Sequence, residues 1–240
     1  GTRVSGALRN MESVHSAVLI FRHLGMEIPN LSLLARLVES AWDDASGFFS
    51  FTVGEPGDIM SSALAMNVLE QAGKLHQFDA QIDRMRSRLE EARDATEDGL
   101  VTWSGAECRK LNEVVCNYYF VVLAGFTGVD LTPKTQRMVS SLAGLQNLDR
   151  GQRGYGGVFQ DASRTSLTLS GTMYAVATLH TLSLASPEGE VFVMSLDTHA
   201  LGAYLTASPN DMESAYLAHR ALAYTPIITQ YFDTKVTYEG

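Results

Sequence analysis

One arrangement recurs along this chain, and that recurrence constrains the fold more than any other feature. Residues 154–182 read GYGGVFQDASRTSLTLSGTMYAVATLHTL. A glycine-aromatic turn (Gly154, Tyr155, Gly156, Gly157, Val158, Phe159) leads into a short polar segment. A run of small and apolar residues at 167–182 then has the look of a helix. Similar small-residue helices start near Met11, Asp58, Asn112, Thr165 and Asp211, at intervals of roughly 46 to 55 residues, about one helical hairpin with its turns. Between them lie more polar, charge-bearing helices. The simplest arrangement puts the small apolar helices inside and the amphipathic ones outside. Alternating inner and outer helices close into a ring of hairpins.

The individual elements read as follows. Val14, Ala17, Val18, Phe21 and Leu24 recur at helical spacing, which predicts a helix over 11–24 with one buried stripe, stopped by Gly25. A second helix is expected over 31–42 after Pro29 and Asn30. Residues 43–47 then form a turn followed by Phe48, Phe49 and Phe51. Asp58 caps IMSSALAMNVLEQAG, which ends near Gly73. A charged helix spans 78–96. After Asp98-Gly99 and Trp103, Asn112 and Glu113 lead into VVCNYYFVVLAGFTG, apolar on almost all sides and therefore internal. Further helices are expected over 133–147 and 191–205, and in SAYLAHRALAYT after Asn210, Asp211, Met212 and Glu213. The fold class is all-α, an α/α toroid over residues 1–225. Residues 226–240, the one β-prone segment, read as an extended tail or the start of a β domain.

Composition narrows the function classes. The net charge is −9, which argues against nucleic acid or an anionic membrane surface as the main partner. Arg84, Arg86, Arg88 and Arg93 are interleaved with Asp83, Glu90, Glu91 and Asp94, the pattern of a solvated face with opposite-charge pairs. No run reaches the ~18 apolar residues that a membrane span needs. The Gly-Thr opening and abrupt ending suggest a piece of a longer protein, so a membrane anchor is expected only outside this stretch. Two cysteines, Cys108 and Cys116, are too few for a disulfide framework and read as separate thiols; a bridge between them would require an oxidising compartment. Asn30-Leu31-Ser32 is the one N-glycosylation sequon, making Asn30 a candidate modification site.

The stretch LAGLQNLDRGQRGYGGVFQDAS followed by TSLTLSGTMYAVATL resembles the repeat of protein prenyltransferase β subunits and squalene-type cyclases. SGFFSFTVGEPGDIMSSALAMNVLEQAG is a second copy. The resemblance implies an α/α toroid. In prenyltransferases it also implies zinc held by an Asp and a Cys two apart, before an aromatic, with a His from the next repeat. Before Tyr174 this chain has Gly171, Thr172 and Met173, and the place of the His falls on Ser214, with His219 one turn later. Cyclases of this fold use an Asp-rich acid motif; the one adjacent pair, Asp43-Asp44, reads as an outer turn. No phosphate loop, Gly-x-Ser-x-Gly elbow, His-Glu-x-x-His or thioester motif is present. The glycines at 154, 156 and 157, with Phe159, therefore read as a structural turn.

Asn10-Met11-Glu12-Ser13 and Asp211-Met212-Glu213-Ser214, each before an apolar helix, are similar to hairpin openings in the ribophorin II family of oligosaccharyltransferase subunits. That resemblance implies a non-catalytic scaffold in the endoplasmic reticulum lumen that supports N-glycosylation. Its contacts would be other subunits of a membrane complex or passing polypeptide, with no catalytic residue, metal or cofactor. The alternative is a divergent prenyltransferase or terpene-cyclase relative, cytoplasmic in the transferase case. Phe48, Phe49, Trp103, Tyr118, Tyr119, Tyr155 and Tyr174 would supply its aromatic walls. A third reading is a small-molecule carrier, with a cavity lined by Tyr174, Met173 and Tyr118.

Overall fold

A computed structural model describes residues 10–97, 99–103, 106–108, 111–186, 190–207 and 212–223. The expected tail at 226–240 and Asp211 lie outside the described residues. The chain divides into two compact units. The first comprises Gly1–Ala95, Thr102–Leu111 and Val122–Asp130; the second comprises Thr96–Val101, Asn112–Val121 and Leu131–Gly240.

The first unit holds α1 (Met11–His23), α2 (Leu31–Ser40), a two-stranded hairpin (β1, Trp42–Asp43; β2, Phe48–Phe49), α3 (Ile59–Gln71) and α4 (Asp79–Ala95). Asn10 Oδ1 accepts the Ser13 N–H at 2.9 Å, and Asp58 Oδ1 accepts the Ser61 N–H at 2.7 Å, so both small-residue helices begin on a side-chain cap. Both end on a left-handed glycine: after α1 the Met26 N–H reaches Phe21 O, and after α3 the Lys74 N–H reaches Leu69 O. α3 is buried on nearly every side, including Ser61, Ser62, Met66 and Leu69. The expected stripe of α1 holds at Val14 and Val18, but Leu24 is 66% exposed. Trp42 and Asp43, expected in the second helix and the turn, leave the helix to pair antiparallel with Phe49 and Phe48. Strand pairing therefore enters as a short hairpin before α3.

α5 (Glu113–Thr127) follows, capped by Asn112, whose Oδ1 accepts the Val115 N–H at 3.0 Å. On α4, Arg86 pairs with Asp83 and Arg88 with Glu91, the opposite-charge lacing expected of that segment. Arg86 also donates to the carbonyl of Thr127 and Arg93 to that of Asp130, satisfying acceptors at and just beyond the end of α5.

The second unit continues with α6 (Thr132–Gly144), α7 (Leu169–Ala185), α8 (Thr198–Ala207) and α9 (Met212–Ala223). α7 starts on Thr168, whose Oγ1 accepts the Gly171 N–H. The helix expected over 191–205 is instead a 3-10 turn at Phe192–Ser195, an extended Leu196, and then α8. Asp197 restarts the helix, because its Oδ1 accepts the Ala200 N–H at 2.9 Å. No helix among the described residues is long and apolar enough to cross a membrane.

One contact repeats. The Phe49 N–H donates to Ser62 Oγ at 2.8 Å, and the Val158 N–H donates to Thr172 Oγ1 at 3.0 Å. The Val101 N–H donates to Asn117 Oδ1 at 2.8 Å, while Asn117 Nδ2 donates to Val101 O and Glu113 O. All six of these residues are at most 3% exposed. In each case a buried turn amide is satisfied by a polar side chain on the following small-residue helix.

Leaving a buried amide unpaired costs about 1–3 kcal/mol. Ser62→Ala and Thr172→Val should each lower unfolding stability by that amount in urea titration. Asn117→Leu should cost more than either, since it strands both the N–H and the C=O of Val101. Losses near zero in all three variants would show that the joint does not carry the stability.

Candidate functional site

The glycine-aromatic turn is held by backbone first. Gly156 N–H donates to Asn147 O at 2.7 Å, Asn147 N–H to Gly157 O at 2.8 Å, and Phe159 N–H to Leu145 O at 3.0 Å. Buried Gln146 then ties three elements together. Its Nε2 donates to Gly156 O and Asp197 O, and its Oε1 accepts the Asp197 N–H at 2.8 Å. The turn, the end of α6 and the start of α8 are thereby fixed by one carboxamide. Gly156 has φ +91, and a Cβ there would lie 1.8 Å from Ala200 O. A Cβ on Gly157 would lie 2.8 Å from Leu167 and 2.9 Å from the Tyr204 ring. Gly154, Gly156, Gly157 and Phe159 thus form a packed joint, with no space at Gly156 or Gly157 for a side chain.

The zinc places of the prenyltransferase repeat are filled by packing. Gly171 is buried, and a Cβ on it would meet Gln160 Cγ at 2.9 Å and Thr168 Oγ1 at 3.3 Å. An Asp does not fit there without displacing Gln160. Thr172 donates to Thr168 O and accepts from Val158, so its hydroxyl is committed to the joint. Met173 is 5% exposed and carries no hard or thiolate donor. Ser214 is half-buried and His219 exposed on α9. Among the described residues no group of three or more His, Cys, Asp or Glu could hold a metal ion. The residues at these places, Gly171, Thr172, Met173 and Ser214, do not fit a zinc site.

Asp43 is bound into its own turn. The Gly57 N–H, Ser46 and the Ala45 N–H hold the Asp43 carboxyl below the usual carboxylate range. Protonating an alkene requires the opposite shift. Asp44 accepts from Trp42 Nε1 at 2.8 Å and pairs with Arg84 on the surface.

The aromatic residues fall into separate groups. In the first unit Phe48 packs edge-on against Trp103, and Phe49 against Trp42 and Phe78. In the second, Tyr118, Tyr119 and Tyr174 form a triad with centroids 5.1 to 5.9 Å apart, and the hydroxyls of Tyr119 and Tyr174 lie at 3.4 Å. Tyr155 stands apart, under the Arg150 guanidinium. An apolar depression in the first unit is lined by Met11, Val14, Leu37, Val38, Phe51 and Val53, none of them from the expected carrier cavity.

The cysteines correct the sequence reading. Both Cys108 and Cys116 are disulfide-bonded and neither is free. In a chain with two cysteines the bridge joins them to each other. Asn30 is exposed at the start of α2, in a left-handed conformation with φ 56, and its side chain makes no cap bond. Gln146 and Asn117 escaped sequence reasoning. The signal for Asn117 was available, as a lone carboxamide in an otherwise apolar helix.

Burial also perturbs His15. It depresses the imidazole below its ordinary value of 6.5, against smaller raising effects from neighbouring Asn67 and from Glu12.

No family model matches this chain, and no curated protein matches it. A solved structure does: Candida albicans protein geranylgeranyltransferase-I complexed with GGPP, at 14% identity and TM-score 0.51. The match covers 88% of this chain and 56% of that one, so this chain spans little more than half of its neighbour's length. The likeness shows the fold, which is of the α/α-toroid type.

Gly156→Ala should be strongly destabilising, well beyond the ~1 kcal/mol of an average substitution. Gly144→Ala, at a helical position with no heavy atom within 4 Å, should be neutral or better. Comparing the two melting temperatures checks this. For His15, the unfolded chain takes up its proton near 6.5, before the folded one does. Stability should therefore be full above that value and fall as pH drops below it toward the depressed folded value. His15→Gln should flatten that part of the profile in denaturation measured between pH 5 and pH 8.

Proposed function

We propose that this chain is a non-catalytic scaffold domain of the oligosaccharyltransferase-subunit type, similar to ribophorin II, working in an oxidising lumen. The observation that carries the non-catalytic reading is the filling of the metal place. Gly171 is too cramped for a carboxylate, Thr172 is bonded into the turn, and Met173 is packed in the core. The Asn-Met-Glu-Ser opening of α1, with Asn10 capping Ser13, supports the finer resemblance. The disulfide supports the compartment, since a cytosolic thiol pair stays reduced.

A second reading has an observation of its own. The Tyr118, Tyr119 and Tyr174 triad offers π faces that suit an isoprenoid or a cationic intermediate, and the solved neighbour is a geranylgeranyltransferase.

The test uses membranes from the native cells. The protein should migrate with a detergent-stable complex that glycosylates an acceptor peptide, and its depletion should lower that activity while added zinc and isoprenyl diphosphate give no transfer. Zinc-dependent prenyl transfer to a peptide thiol by the purified protein would overturn the scaffold reading in favour of the second.

A further inference from the structure

We infer that Asn30 carries an N-linked glycan. The inference rests on the lumenal reading above. The chain has one sequon, Asn30-Leu31-Ser32. Other asparagines at helix starts are engaged: Asn10 and Asn112 accept the N–H three residues on. Asn117 and Asn147 are buried and hydrogen-bonded. Asn30 differs on each count. It is exposed, and its carboxamide makes no cap bond although it precedes α2.

The surroundings leave room for a bulky group. Pro29 and Ser32 are exposed, as are Leu24 at 66%, Met26 at 54% and Leu33 at 43%. Leu33 lies one turn on along the same face, so a sugar at Asn30 would extend over apolar surface otherwise left to water. The left-handed backbone at Asn30 is one that asparagine tolerates better than most residues. The independent sign of the compartment is the Cys108–Cys116 bridge, which needs the same oxidising lumen in which this modification occurs.

The chemistry is transfer from a lipid-pyrophosphate-linked oligosaccharide. A bond forms between Asn30 Nδ2 and the anomeric carbon of the first sugar. The bond from that carbon to the pyrophosphate oxygen breaks. The lipid pyrophosphate leaves with the electron pair, and the amide nitrogen gives up one proton.

The experiment takes the full chain from its native cells. Trypsin releases residues 23–36, HLGMEIPNLSLLAR. That peptide should appear only after an amidase that removes N-glycans, run in heavy-oxygen water, with Asn30 converted to labelled Asp. Thiol alkylation with and without reductant reads the bridge in the same sample. An intact bridge with only unmodified Asn30 overturns the glycan and leaves the compartment standing. Free thiols with unmodified Asn30 overturn both. In the expressed protein, Asn30→Gln and Ser32→Ala should lose the glycan's gel shift, whereas Ser32→Thr should keep it. Persistence of the shift in Asn30→Gln overturns the assignment.

Discussion

A buried amide outside a helix needs a partner, and this chain meets that need the same way three times. The N–H groups of Phe49, Val101 and Val158 each end on a polar side chain of the helix that follows. The requirement runs in both directions. Ser62, Asn117 and Thr172 sit in helices made almost wholly of small and apolar residues, where an unpaired polar group would be costly. Each joint therefore satisfies two buried groups at once and sets the position of a turn over its helix. Ser62 and Thr172 each stand four residues after the N-cap of their helix, and Asn117 five after Asn112, so the bond recurs at nearly the same place in three of the hairpins.

That origin explains what could be read in advance. The cap at Asp58 is local, so residue type was enough to find it, and the helix starts expected near Met11 and Asn112 fall where Asn10 and Asn112 cap. The cap of α7 was displaced from Thr165 to Thr168, because residues up to Leu167 are drawn into bridges with the turn. The hairpin at Trp42 and Phe49 escaped notice because two-residue strands have no alternation to detect. Gln146 was visible only as one letter of a repeat, since its partners Gly156 and Asp197 lie ten and 51 residues away. The disulfide was misread for a related reason. Cys108 closes a short 3-10 turn and Cys116 lies in the first turn of α5, and sequence separation does not give the distance between them.

The candidate site was legible to the extent that it is a packing problem. Two absent ligands could be read directly at Gly171 and Met173. What the fold adds is that these places cannot be refilled cheaply. Gln160 and Thr168 occupy the space an Asp side chain would need at Gly171, and Thr172 between them anchors the turn. A metal site at these places would require loosening the joint that holds α7 to its turn. Gly171, Thr172 and Met173 are all taken up by packing and by the joint.

The three joints are not equal, and the differences are complementary. The turns around Phe49 and Val158 are reinforced by strand pairing, through β1 with β2 and the bridges of Val158 to Gln146 and Phe159 to Leu167. Among the described residues of 96–111 no such pairing occurs. There the helix side chain is a carboxamide rather than a hydroxyl, and it clasps both the N–H and the C=O of Val101. The disulfide falls in the same repeat, joining the segment just after that turn to the first turn of α5. Closing so short a loop restricts the unfolded chain by about 2–3 kcal/mol on the entropic account. Asn117 and the bridge thus do for the second turn what backbone pairing does for the other two. The bridge is then part of how the repeat is completed.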